Sequence, residues 1–200
     1  MVQNRLLQTL MWLIASMFMH NLALADSPKL AGNIAMHIAK THYEHPVRLL
    51  HPYLDVWHMK GPLAEKAALK TLQKRFVNIN LCTDSDNANV VLLLEPHMFY
   101  NAQLRVFHAE MIARVFVNST ELSDLEHPLI YIKKQAQQNG DLGIKPDFYM
   151  EKAYVKATDK VIKQLESDQT FLAAIQAPQK GNASLLCAAL DDLPIAKIYY

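Results

Sequence analysis

The sequence predicts an α+β fold, an antiparallel sheet of about four strands with helices packed on one face, and three features carry that reading. Residues 104–117 alternate between apolar and mixed positions with a period of two. Runs at 76–82, 89–95 and 129–138 share the same strand character. Segments with three- and four-residue apolar spacing stand before and after this block, the order expected when helices cover a sheet.

The N-terminal stretch is a leader by its pattern. Arg5 is the only charge before Asp26, an apolar run follows from Leu10 to Met19, and Ala23-Leu24-Ala25 supplies the small residues of a cleavage site. A basic start, a short apolar middle and an A-x-A exit describe a secretory signal peptide over 1–25. The apolar run is shorter than the ~20 residues that span a bilayer, and His20 and Asn21 interrupt it. Without a cysteine at the exit, a lipid-anchored product is not expected. The remaining residues, 26–200, are expected to form one domain in the periplasm or outside the cell.

The leader carries one arginine and no acid, so its removal takes the formal charge from +1 to zero. A neutral chain with mixed charges offers no electrostatic case for nucleic acid or an anionic membrane as partner. Cys82 and Cys187 are the chain's two cysteines, and an oxidising compartment favours joining them. Closing so long a loop stabilises a fold by about 4 to 5 kcal/mol on the chain-entropy model. Two buried, unpaired thiols are the alternative.

In 29–41, Leu30, Ile34 and Ile38 recur four apart, which reads as one stripe of a short helix. Pro46, Pro52 and Pro62 then punctuate a poorly periodic region, with a strand expected around Tyr53 to Met59. Pro62 suits the first turn of the next helix, whose face carries Ala68, Leu69, Leu72 and Phe76. The four strand-like runs follow. In the longest, the odd positions from Phe107 to Val117 are apolar, while His108, Glu110 and Arg114 fall on even ones. Asp147 is placed to cap a long helix bearing Met150, Tyr154, Ala157, Val161 and Leu165. A short helix is expected over 170–176, and the tail from about 177 to 200 reads as irregular.

Candidate chemistry is sparse. His37, His42, His45, His51 and His58 cluster in 37–58, and no pair has the i, i+4 spacing of a helical zinc site. A metal site here would draw on His42, His45 and His51; the competing reading is solvated or edge-packed imidazoles. His108-Ala109-Glu110 matches the H-x-E of zinc deaminases but lacks the P-C-x-x-C partner. On one strand face, His108, Glu110 and Arg114, with Tyr131 and Lys133, make a polar patch that meets a partner or solvent. The segment Glu95 to Asn101 reads as a loop, and His97, Met98, Phe99 and Tyr100 make it an apolar docking candidate unless the tail or N-terminal helix covers it. Asp84, Asp86 and Asn89 lack the glycine and downstream glutamate of a calcium loop. With five glycines, none in a phosphate-cradling pattern, no nucleotide loop is present, and no cofactor is implied. Asn118-Ser119-Thr120 and Asn182-Ala183-Ser184 are glycosylation sequons in a eukaryotic host.

The order of elements from Leu63 to Leu165 (helix, short strand, long alternating strand, further strand, closing helix) resembles the small periplasmic α/β domains of ABC-transport auxiliary lipoproteins. That resemblance covers about half the chain, rests on layout without a shared motif, and lacks the family's lipidation cysteine. It implies a non-catalytic accessory protein of the cell envelope that binds a partner protein; the 95–101 segment would equally suit a small apolar ligand. The residues leave two alternatives, a metal-handling protein using 37–58 and an enzyme of unrecognised type.

Overall fold

The computed structural model describes residues 28–82, 87–119, 125, 127–178 and 181–192. The leader and the Asp84–Asp86 turn lie outside them. Seven strands are present: β1 (Leu30–His37), β2 (Pro46–His51), β3 (Leu54–Met59), β4 (Phe76–Leu81), β5 (Val90–Asn101), β6 (Val106–Val117) and β7 (Ile130–Asn139). The helices are α1 (Lys40–Tyr43), α2 (Lys60–Leu72), α3 (Pro146–Ser167), α4 (Gln169–Gln176) and α5 (Ala183–Asp191).

The architecture is α+β, but the main sheet is mixed and five-stranded, in the order β4-β1-β5-β6-β7, with β2 and β3 forming a separate hairpin. The departure from an antiparallel, four-stranded sheet comes from β1. Residues 30–37 are a strand, not a helix, and run parallel to both β4 and β5. The physical reason is visible in the pattern. Leu30, Ile34 and Ile38 are four apart, but Gly32 and Met36 complete a period-two series that puts all five on one face. Ile34, Ala35 and Met36 are all buried, as a central parallel strand covered on both faces requires.

On one face of the sheet, α2, α3 and α4 bury Ala68, Leu72, Tyr154, Val161, Leu165 and Phe171 against Ile34, Met36, Leu92, Leu94, Met111 and Val115. Gly32 marks a close approach of helix and sheet: a Cβ there would stand 2.8 Å from the Cβ of Ile175 in α4. The long helix starts at Pro146 with Lys145 as its N-cap, so Asp147 lies in the first turn and makes no side-chain cap bond. Its charge still favours that end of the helix dipole.

Among the described residues, the opposite face is only half covered. Residues 183–191, within the stretch that composition marks as irregular, form α5, capped by the Asn182 side chain. Ala183, Leu186, Cys187 and Leu190 pack on Ala35, Val91, Leu93 and Phe116. The buried Asn118 ties this layer down by donating from Nδ2 to the carbonyls of Ala88 (2.7 Å) and Gly181 (3.0 Å). Its burial also closes the first sequon to a glycan. Cys82 and Cys187 are at disulfide distance, with Cα atoms 6.4 Å apart. Among the described residues, no helix is long and apolar enough to cross a membrane.

Gly32→Ala should destabilise the protein by about 1 to 3 kcal/mol, because the new methyl meets a branched carbon that cannot swing aside. A urea melt with an unchanged midpoint would show that α4 does not sit on β1 in this way.

Candidate functional site

The site is built by the β5–β6–β7 ladder. In register, Phe99 pairs with His108, His97 with Glu110 and Glu95 with Ile112; on the other side of β6, His108 pairs with Gln137, Glu110 with Gln135, Ile112 with Lys133 and Arg114 with Tyr131. Because side chains alternate along a strand, all of these lie on the face away from α2, α3 and α4. Beyond α5 that face is open among the described residues, and a groove of about 750 Å³ is lined by His97, Phe99, His108, Glu110, Lys133 and Gln135.

The segment 95–101 is therefore not a loop. It is the second half of β5, and the turn lies at 102–105. Pro96 sits where β5 has outrun β1, which ends opposite Leu93, so the missing N–H falls on an edge-like stretch. The strand splits the docking candidates into two sets. Met98 and Tyr100 point into the helix-side core and are buried; they cannot dock a partner. Phe99 points the other way and is 56% exposed, its ring 5.7 Å from that of His108.

Two layers of charge occupy this face. At the surface, Glu110 is held by Lys133 (3.0 Å) and by the Gln135 amide, which donates at 2.6 Å. These hydrogen bonds and the Lys133 charge hold its carboxyl below the usual range against the opposing effect of burial. Deeper, Glu95 is 2% exposed and pairs through Oε1 with Arg114 at 2.8 Å. Burial raises the Glu95 pKa, while Arg114 and Lys60 oppose that rise. Lys60, also buried, is pushed down to about 8 by desolvation, with Glu95 acting against the shift. Arg114 also stands 5.9 Å from the ring centre of Tyr131.

His42 and His97 beside this pair, and His58 against Tyr154 of α3, are neutral at pH 7. Burial is the largest cause in each case, taking His42, His97 and His58 to about 4; the Lys60 charge adds to it at all three. Nε2 of His42 is 3.6 Å from Oε2 of Glu95, beyond hydrogen-bond range, and its ring is edge-on to His97 at 5.7 Å. Glu95 Oε2, His97 Nδ1 and His108 Nε2 are buried atoms without a hydrogen-bond partner among the described residues. The two histidines line the open groove, where a ligand or water completes their bonding.

The histidines of 37–58 scatter. His42 joins Glu95 and His97, exposed His45 stays at the margin, and His51 accepts a hydrogen bond from the Tyr53 N–H at the hairpin tip. Among the described residues, His42, His45 and His51 do not form a three-donor group; the one such group is His37 with Cys82 and Cys187. Sequence reasoning missed Lys60 and Glu95, whose meeting depends on β1 stopping short. It also missed the outer face of the β2–β3 hairpin, where Leu50 and Trp57 are exposed, and Tyr53 at its turn. The alternation of residues 46–51 and 54–59 around His51-Pro52 was the available signal for that hairpin.

No known protein family matches the sequence, and no curated protein does. Three solved structures are similar in outline. A Xanthomonas campestris protein of family DUF330 is 8% identical at a TM-score of 0.44, with 68% of this chain and 84% of that one covered. A minor lipoprotein from Acinetobacter baumannii is 11% identical at a TM-score of 0.40, covering 68% and 93%. A protein described as a lipoprotein from Caulobacter crescentus is 15% identical at 0.31, covering 56% and 83%.

The buried cluster sets a pH dependence. His42, His58 and His97 have folded pKa values of about 4, against the ordinary 6.5 of an imidazole. Below 6.5 the unfolded chain takes up protons that the folded chain refuses, so stability falls as the pH drops from about 6.5 to 4. The raised pKa of Glu95 acts in the opposite direction at the acid end. The urea midpoint should be lower at pH 5 than at pH 7, by up to a few kcal/mol in stability; equal midpoints would contradict the burial of these imidazoles. Arg114→Ala, which strands the Glu95 carboxylate, should cost about 3 to 5 kcal/mol in the same assay at pH 7.

Proposed function

We propose that this chain is an exported, non-catalytic accessory protein of the cell envelope that holds a partner protein on the open face of β5, β6 and β7. The observation that carries the reading is the state of that face. Phe99, 56% exposed, lines a groove whose walls are polar and whose floor holds nitrogens of His97 and His108 without a partner among the described residues; Tyr131, 53% exposed, lies on the same face two residues from the groove's Lys133. Exposed aromatics set among hydrogen-bonding groups are the composition of a protein interface, where a ring supplies buried area and the polar groups supply register.

The ionic groups of the site favour binding over catalysis. Glu95 is already paired with Arg114 and sealed from solvent, and Glu110 is engaged by Lys133 and Gln135. Neither carboxylate is free to act as a general acid or base, and the neutral His97 imidazole at the groove serves as donor and acceptor. The leader pattern of residues 1–25 and the cysteine pair at disulfide distance support an oxidising compartment outside the cytoplasm.

A photo-crosslinking residue at position 99, introduced into the chain in cells, should give a discrete protein adduct, whereas the same residue at exposed position 163 on α3 should not. Tyr131→Ala should reduce the yield of that adduct several-fold. Identical products from positions 99 and 163, or none from position 99, would contradict the reading. The adduct should reside in the periplasmic or extracellular fraction, with the chain starting at Asp26.

A further inference from the structure

A second cluster lies under α5. His37 at the end of β1, Cys82 just past β4 and Cys187 on α5 converge there, the two sulfurs and a ring nitrogen of His37 within 4.8 Å of one another. Asp191, one turn beyond Cys187, accepts a hydrogen bond from Nε2 of His37 at 2.9 Å and one from the backbone N–H of Lys40 at 2.8 Å, both at Oδ1. Two thiolates with an imidazole oriented by a carboxylate make a donor set suited to zinc. A pure staple between two cysteines has no need of the His37–Asp191 pair.

Access and scaffold both fit. A cleft of about 420 Å³, lined by His37, Lys40, Tyr43, Glu65, Cys82 and Asp191, opens beside the cluster. The layer that carries Cys187 is also fixed independently of the sulfur bond. Leu186 and Leu190 are buried against Val91, Leu93 and Phe116, and Asn118 bonds the carbonyl of Gly181 just ahead of the helix. These contacts of α5 do not involve the sulfur bond.

We propose that His37, Cys82 and Cys187 form a redox-gated site for a thiophilic divalent cation, zinc fitting best, closed while the cysteines are joined and opened by a dithiol reductant. In the opening step the dithiol attacks the Cys82–Cys187 bond and passes to it two electrons and two protons. It leaves as a cyclic disulfide, and two thiols remain on the protein. Zinc then displaces the two thiol protons and takes a lone pair from His37, and water from the cleft fills the fourth position. Asp191 is the positioning residue that holds the imidazole.

The test uses the full chain, reduced with dithiothreitol, freed of it under anaerobic conditions, and titrated with cobalt(II) and then zinc. One equivalent of cobalt should produce a thiolate-to-cobalt charge-transfer band that zinc abolishes, and the oxidised chain should show no band. His37→Ala should weaken zinc binding more than about tenfold and Asp191→Asn by about tenfold, with circular dichroism of both unchanged. A reduced chain without the band overturns the proposal. So does an affinity that His37→Ala leaves untouched, or a chain whose near-ultraviolet dichroism collapses on reduction, since the site would then exist only as a disulfide.

Discussion

The antiparallel ladder between β5 and β6 is the constraint on which the rest of the structure depends. It runs unbroken from Val90 opposite Val117 to Asn101 opposite Val106. A strand places successive side chains on opposite faces, so one register decides the fate of every residue in both strands. Phe107, Ala109, Met111, Ala113 and Val115 go to the helix side with Leu92, Leu94, Met98 and Tyr100. His97, Phe99, His108, Glu110 and Arg114 go to the other. A slip of one residue would bury the charges and expose the core, which is why the alternation is enforced so strictly.

The second determinant is a difference in strand length. β1 has eight residues and stops opposite Leu93, while β5 has twelve and continues to Asn101. Where β1 ends, the chain turns through α1 and the hairpin, bringing His42 and Lys60 alongside Glu95. The resulting cluster is a buried acid between two cations and neutral imidazoles. Such a cluster adds little net stability, because desolvation offsets most of the attraction, but it penalises any arrangement in which one member loses its partner. It therefore fixes how the hairpin joins the sheet, and it reaches the open groove through His97.

Much of the sheet was legible in the sequence. Strands β4 to β7 and helices α2 to α4 follow from period-two and period-four patterns, as does the sorting of His108, Glu110 and Arg114 to one face. The errors have physical causes. Leu30, Ile34 and Ile38 satisfy a helical spacing and a strand spacing at once, because every second member of an alternating series is four residues away. Pro96 and the mixture of His, Met, Phe and Tyr around it suggest a loop until the end of β1 shows that β5 is partly an edge there. The segment 183–191 is short, uncharged until its last residue and rich in alanine, so its helix depends on packing against Val91, Leu93 and Phe116 rather than on a pattern of its own. The meetings of Glu95 with Arg114 and of His37 with Asp191 are set by register and by α5, and neither could be read from spacing.

Hydroxyl-radical footprinting of the native protein, read residue by residue by mass spectrometry, tests the two-faced ladder most directly. The account predicts rapid modification of Phe99 and Tyr131 and strong protection of Met98, Tyr100, Phe107 and Met111. Modification of Met98 or Met111 at rates near that of Phe99 would contradict it.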